Sequence, residues 1–200
     1  LSASDPAYFM LGLWTGYGGA LLDEDGRCIA DQGGFADAWE AMVDLQQAGA
    51  YLGEDYTRAG EMFENGEVAM TINGIWALEQ YRSALGDAVA VAPLPAGPLG
   101  PARPWVDGLA VYLTSQAQEQ ETALWLVQFL AGPIMAKNLA DAGVVPAHAG
   151  VTISDPDLEA FQISGLLGTP LHNSAGMDAY WSAFATAMDD VLLYGAPPDE

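Results

Sequence analysis

The stretch from Thr57 to Trp76 constrains this chain more than any other. Thr57 to Asn65 carries a helical pattern, and Gly66 supplies its stop, because glycine reaches positive φ without a Cβ clash. Val68 to Ile72 alternates weakly and predicts a short strand; Asn73-Gly74 is a turn dipeptide. Trp76, with Leu78 and Tyr81, then opens a helix that ends near Gly86. Helix, strand and helix in that order belong to an α/β fold, and the carboxyl end of a strand is where such folds meet ligands. Trp76 would stand there with a flat apolar face and one N–H donor. A tryptophan at a strand–helix junction is equally an ordinary core residue, and position alone does not separate the two readings.

Charge narrows the classes of partner. The 200 residues hold 27 Asp and Glu against 5 Lys and Arg, a formal charge of −22. The cations Arg27, Arg58, Arg82, Arg103 and Lys137 are scattered, whereas phosphate recognition needs them clustered, so no nucleic-acid partner is expected. An anionic membrane surface would repel the chain, and no apolar run reaches the length of a membrane span, so no direct membrane insertion is expected either. At 51% hydrophobic the chain can bury a sizeable core, in one domain or one and a half. Cys28 is alone, so no internal disulfide is possible. Leu1-Ser2-Ala3-Ser4-Asp5 lacks the basic flank and apolar core of a signal peptide; an exported protein would need one, so the sequence reads as a processed chain or a fragment.

Taken in order, Asp5-Pro6 is a helix start, with Asp5 as cap and Pro6 in the first helical position. Tyr8 to Trp14 is apolar on most sides and ends at Gly16-Tyr17-Gly18-Gly19. Leu21 to Ile29 reads as a hairpin about an Asp-Gly turn; the carboxylates of Asp23, Glu24 and Asp25 do not complete the spacing of a calcium loop. Phe35 to Ala48 is an amphipathic helix with Phe35, Trp39, Met42, Val43 and Leu45 inward. Val89 to Val91 predicts a strand, and the Pro- and Gly-dense loop 93–101 reads as a linker between lobes. Trp105 to Thr114 alternates as a strand, with Gly108 permitting close approach of another backbone or a ligand. Ala117 to Leu130 is amphipathic, with Leu124, Val127 and Leu130 on one face; Ile134 to Ala142 and Asp155-Pro156 to Leu167 are further helices. In the last helix Trp181, Phe184, Met188 and Val191 share a face. His148 and His172 lack Cys or carboxylates at ligand spacing, so no metal site is expected, and neither follows a recognisable nucleophile motif.

The fourteen residues Phe63-Glu64-Asn65-Gly66-Glu67-Val68-Ala69-Met70-Thr71-Ile72-Asn73-Gly74-Ile75-Trp76 resemble a signature of the extracellular solute-binding proteins of ABC importers, in the maltose-binding-protein-like group (family 1). The resemblance implies that Trp76 stacks on a sugar. It places Tyr8 at the position of an early helical tyrosine that stacks likewise, with ordinary core as the other reading. Trp105, Asp107 and Gly108 match the start of a segment that crosses between lobes and lines the cleft. Trp181 matches a tryptophan near the start of the last helix. Two residues depart from the pattern. Asp107 stands where glycine is common, as either a sugar-hydroxyl acceptor or a solvated rim charge. Ala185 stands where an arginine often donates to the sugar.

The fold implied is α/β, a periplasmic-binding-protein type II-like lobe with a mostly parallel sheet flanked by helices. On this reading 1–104 with 177–200 form the carboxy-terminal lobe, and 105–176 an incomplete part of the amino-terminal lobe. The function implied is a carbohydrate-binding subunit of an ABC importer. Such a subunit is expected to be no enzyme, with no cofactor and no catalytic residue, and to lie in the periplasm or on the cell surface as a lipoprotein. It holds a sugar or oligosaccharide between two lobes for delivery to a permease. A sensor or receptor derivative of the same fold is the alternative. A glycoside hydrolase needs a carboxylate pair about 5–5.5 Å apart with one pKa raised, and no pair stands out.

Overall fold

The computed structural model describes residues 1–198 apart from 24, 26 and 172–176. Its centre is a short parallel sheet. Strand β1 (Ser2–Ser4) pairs in parallel with β2 (Tyr51–Gly53), Ala3 opposite Leu52. On its other side β1 meets residues 70–72: Ser2 N–H donates to Met70 O and Ile72 N–H to Ser2 O, both at 2.9 Å. The strand expected over Val68 to Ile72 is therefore one bridge, Ser2 to Thr71, with extended chain either side. Ser2 is wholly buried yet satisfied, its hydroxyl donating to Ala59 O at 2.9 Å.

Helices cover this sheet. The first helical stretch is interrupted at Met10, giving α1 (Pro6–Phe9) and α2 (Leu11–Gly16). Asp5 caps α1 as expected, accepting the Tyr8 N–H at 3.3 Å from a left-handed backbone with φ 37°. Helix α3 (Phe35–Gln47) turns Trp39 and Met42 into the core, and α4 (Tyr56–Glu64) is capped by Asp55. At its end Gly66 has φ +70°; Gly66 N–H bonds Phe63 O and Glu67 N–H bonds Met62 O, which stops the helix as the sequence implied. A single 3-10 turn at Ile75–Ala77 leads into α5 (Leu78–Leu85). The core joins Trp14, Leu11 and Met10 to Trp39 and Met42, and to Phe184, Met188 and Val191 of the last helix.

The second half departs further from expectation. Residues 89–91 form no strand, because Val91 N–H is taken by Asp157 Oδ1 at 2.8 Å. The loop 93–101 lies on α2, with Leu99 N–H on Gly16 O and Arg103 N–H on Thr15 Oγ1. The strand expected over Trp105 to Thr114 shrinks to β3 (Trp105–Val106), paired in parallel with β4 (Thr169–Pro170). A strand needs a ladder, and β4 supplies only two residues; beyond them Leu109, Val111 and Tyr112 are exposed. Helices α6 (Gln120–Leu130) and α7 (Pro133–Asp141) pack on each other, and α6 buries no residue fully. Of its expected apolar face, Leu124 is open to solvent while Val127 and Leu130 are half-buried. Helix α8 (Pro156–Leu167) starts at the Asp155-Pro156 cap, and α9 (Met177–Leu192) returns to the core. No single helix among the described residues is long and apolar enough to cross a membrane.

Candidate ligand-binding site

The carboxyl ends of three parallel segments, β1, β2 and 70–72, deliver Asp5, Glu54 and Asn73 to one end of the sheet. Tyr8 follows Asp5 in α1, and Trp76 follows Asn73 in the 3-10 turn. The Trp76 ring folds back over Gly74, where an added Cβ would stand 2.2 Å from it, so glycine is required there for the ring to lie as it does. Asn73 anchors the approach: its Oδ1 accepts Gly74 N–H at 2.8 Å and its Nδ2 donates to Tyr81 Oη at 2.8 Å. Gly74 itself is extended (φ −88°), so Asn73-Gly74 leads into the 3-10 turn and does not make a hairpin-like turn. Trp76 Nε1 donates to Tyr56 Oη at 3.0 Å, which fixes the indole while leaving it 58% exposed.

Four of the residues singled out in the sequence meet through their rings. Tyr8 lies 6.5 Å from Trp76 and 6.1 Å from Trp181, near-parallel to the latter; Trp181 lies 5.7 Å from Trp105. These side chains come from α1, the 3-10 turn, α9 and β3. Tyr8 and Trp181 are half-buried, Trp76 is exposed, and Trp105 is 9% exposed, so it is a core residue at the back of the wall. The last-helix stripe splits accordingly: Phe184, Met188 and Val191 are buried while Trp181, one turn nearer the helix start, reaches the wall.

Asp107 and Gly108 are exposed, and the Asp107 carboxylate accepts its neighbour's Gly108 N–H at 2.7 Å. It is near enough to help raise the Tyr8 hydroxyl above the usual tyrosine range, after partial burial and before Asp5. Tyr8 therefore stays protonated and can donate. Burial likewise pushes up the Asp5 carboxyl, opposed by the Tyr8 N–H, and the Glu54 carboxyl, with Asp189 and Asp5 adding to the effect. A cavity of about 400 Å³ beside Trp105 is lined by Leu11, Thr15, Leu99, Arg103 and Thr169; the ring wall itself is open.

Sequence reasoning missed Phe9 and Tyr56 as neighbours of the wall. Phe9 stacks on Tyr56 at 6.4 Å and lies 6.3 Å from Trp76, extending the wall past it. Tyr56 follows the Asp55 cap, and the cap motif was the signal that could have placed it at a helix start. Tyr180 packs edge-on to Trp105 at 5.9 Å. Its hydroxyl, like Trp105 Nε1, is buried without a hydrogen-bond partner among the described residues, and burial pushes its pKa far up. Elsewhere, Asp23 Oδ1 accepts the N–H groups of Asp25 and Arg27 as a hairpin tie, beside the Leu22–Cys28 bridge. His148 Nδ1 accepts Gly150 N–H, and no group of metal-ligating side chains occurs among the described residues. His172 lies outside the described residues.

Short parallel strands, helices on their faces and polar and aromatic side chains gathered at strand ends define a ligand-binding α/β lobe. The chain belongs to the bacterial extracellular solute-binding protein family, whose model matches residues 2–137, more than half the sequence. No curated protein sequence matches it. Its fold is that of type II periplasmic binding proteins: it is similar to a cyclo/maltodextrin-binding protein complexed with maltotetraose (TM-score 0.80, 22% identity, 100% of this chain and 55% of that one). It is similar also to the GacH receptor of Streptomyces glaucescens, solved unliganded and with acarbose (0.78, 21%, 100% and 55%). A third is the maltose/maltodextrin-binding domain of Bdellovibrio bacteriovorus bound to maltotriose (0.76, 21%, 99% and 56%). The chain thus spans little more than half the length of these structures.

Proposed function

We propose that this chain is the larger part of a carbohydrate-binding subunit of an ABC importer. The observation that carries the reading is the wall of Tyr8, Trp76, Trp181 and Trp105, drawn from four separate parts of the chain into ring contact at the carboxyl end of the sheet. Carbohydrate C–H faces are apolar and pack on aromatic rings, while hydroxyls need partners. Asp5, Asp107 and the Tyr8 hydroxyl offer acceptors and a donor around the wall. A ligand hydroxyl left unpaired there would cost about 1–3 kcal/mol, which is how such a site selects. A neutral ligand suits a chain of charge −22. The maltodextrins bound by similar structures are the first candidates.

On this reading 1–104 with 177–200 form one lobe, and 105–176 part of the other, with Asp107 and Gly108 at the crossing. The apolar residues left open at 109–113 and on α6 are then surface that the remainder of that second lobe covers. Closure of two lobes about their crossings would enclose the ligand and present one face to a permease, outside the cytoplasm. Calorimetry of the full-length protein against maltotriose and maltotetraose, with trehalose and cello-, xylo- and galacto-oligosaccharides beside them, tests this. Saturable binding of at least one, weakened in both Trp76→Ala and Trp181→Ala, is expected. Absence of binding across the whole set would overturn it.

A further inference from the structure

Arg82 makes ion pairs of a different kind from the other paired cations among the described residues. Arg27 pairs with Asp25, Arg58 with Glu67 and Lys137 with Asp141, all exposed and close in sequence. Arg82 leaves the last turn of α5 and holds two carboxylates more than seventy residues on. Its Nη1 donates to Asp155 Oδ2 and its Nη2 to Asp155 Oδ1, both at 2.9 Å, and Nη2 also donates to Asp157 Oδ2. Asp157 Oδ1 accepts Val91 N–H at 2.8 Å, and Asp155 Oδ1 accepts Asp157 N–H at 2.9 Å as the cap of α8. Gly86 and Asp87 past the end of α5 border the same open cavity as Asp155 and Pro156, so the two helix ends adjoin. Their dipoles agree with the charges: the carbonyl end of α5 bears the cation and the amide end of α8 the anions. A planar guanidinium forked onto a carboxylate fixes orientation as well as distance.

We propose that Arg82, Asp155 and Asp157 form an ion latch that sets the position of the 105–176 part relative to the helical unit carrying Trp76, and so gates enclosure of ligand between them. The gating rests on the two-lobe carbohydrate reading. One continuous helical unit bears Trp76 at its start and Arg82 six residues later, roughly 9–10 Å along. Whatever moves that unit moves the ligand platform and the latch together. The 105–176 part meets the rest through the rings of Trp105, Tyr180 and Trp181, through Thr169 N–H on Pro104 O and Leu171 against the core beside them, and, on a separate side of the fold, through this latch. The Arg82 and Asp155 side chains are about a third exposed, and Asp157 is 13% exposed. The nearby charges on both flanks, Asp87 after α5 and Glu159 in the first turn of α8, are negative. Salt can therefore reach and loosen the latch.

The test uses the full-length protein with Cys28→Ser and spin labels at Glu61→Cys on α4 and Asn138→Cys on α7. Arg82→Met and Asp155→Asn are each expected to broaden the inter-label distance distribution without ligand. Molar sodium chloride should do the same to the protein with the latch intact, which gives the readout even where a variant fails to fold. Both variants should weaken maltotriose binding three- to tenfold, as the binding-competent fraction falls. An unchanged distribution in folded variants and at high salt overturns the latch, and a broadened one with unchanged affinity overturns its gating role. Absence of carbohydrate binding before any substitution counts against the carbohydrate reading, and the distance measurement then judges the latch alone.

Discussion

Replacing Trp76 with alanine separates a ligand platform from a core tryptophan. The indole is 58% exposed, so about two-fifths of its surface is covered. Of the roughly 250 Å² such a ring can bury, that is on the order of 100 Å², worth about 2.5 kcal/mol at 25 cal/mol/Å². The residual methyl and a partly collapsed denatured chain reduce this to about 1–2 kcal/mol, including the exposed hydrogen bond to Tyr56. Trp14, with no exposure and rings packed on Phe35 and Phe184, should lose at least the 3–5 kcal/mol typical of a core site. The order reverses for ligand. Loss of one stacking face should weaken oligosaccharide binding by about 1–3 kcal/mol, roughly five- to 150-fold. Urea denaturation of both variants and calorimetry of Trp76→Ala with maltotriose in the full-length protein provide the comparison. Equal destabilisation by the two substitutions, or maltotriose affinity unchanged in Trp76→Ala, would refute the reasoning.

The carboxylates set opposite pH dependences. Asp5 and Glu54 have folded pKa values above their unfolded ones, so their charged forms oppose folding at neutral pH and stability rises as pH falls through those values; Asp155, held low mainly by Arg82, stabilises above its unfolded pKa and loses that contribution as pH falls through its folded one. Melting temperature should therefore peak in mild acid, above about pH 4, and a monotonic fall from pH 7 to 5 would contradict this. At −22 the chain repels itself, and moderate sodium chloride, with a screening length of about 8–10 Å, should raise the melting temperature even as it loosens Arg82; a flat trend would mean the charges are already harmlessly spread. Gly74→Ala should displace the Trp76 ring and weaken maltotriose binding at least fivefold with little change in stability, and binding that survives intact would show the ring is free to move. Amides of 107–114 in the 200-residue chain should exchange much faster than those of α3, and uniform slow exchange across both would refute the picture of a strand without its ladder.

What could be read in the sequence was whatever is fixed locally. Asp5-Pro6, Asp155-Pro156 and Gly66 mark helix boundaries because capping and positive φ act within a few residues, and all three stand where expected. The stripe Phe184, Met188 and Val191 is core because helical spacing alone puts it on one face. Partners across the chain were not legible. Trp105 to Thr114 alternates, and alternation states that a segment can be half-buried in a sheet, but not which strand lies beside it; only Thr169 and Pro170 do, so only Trp105 and Val106 pair. Val91 could have joined a sheet by composition, yet a carboxylate 66 residues away takes its N–H. The same limit applies to the candidate site. Tyr8, Trp76 and Trp181 could be marked one by one from a family pattern, but that their rings touch depends on β1 lying beside residues 70–72 and on α9 returning over α1, and single-sequence periodicity encodes neither. Phe9 shows the converse. It looked like one more apolar residue in a buried helix, and the break at Met10 is what lets α1 turn Phe9 toward Tyr56 and Trp76 instead of continuing α2. Local chemistry set the pieces of this wall, and the chain's return path assembled it.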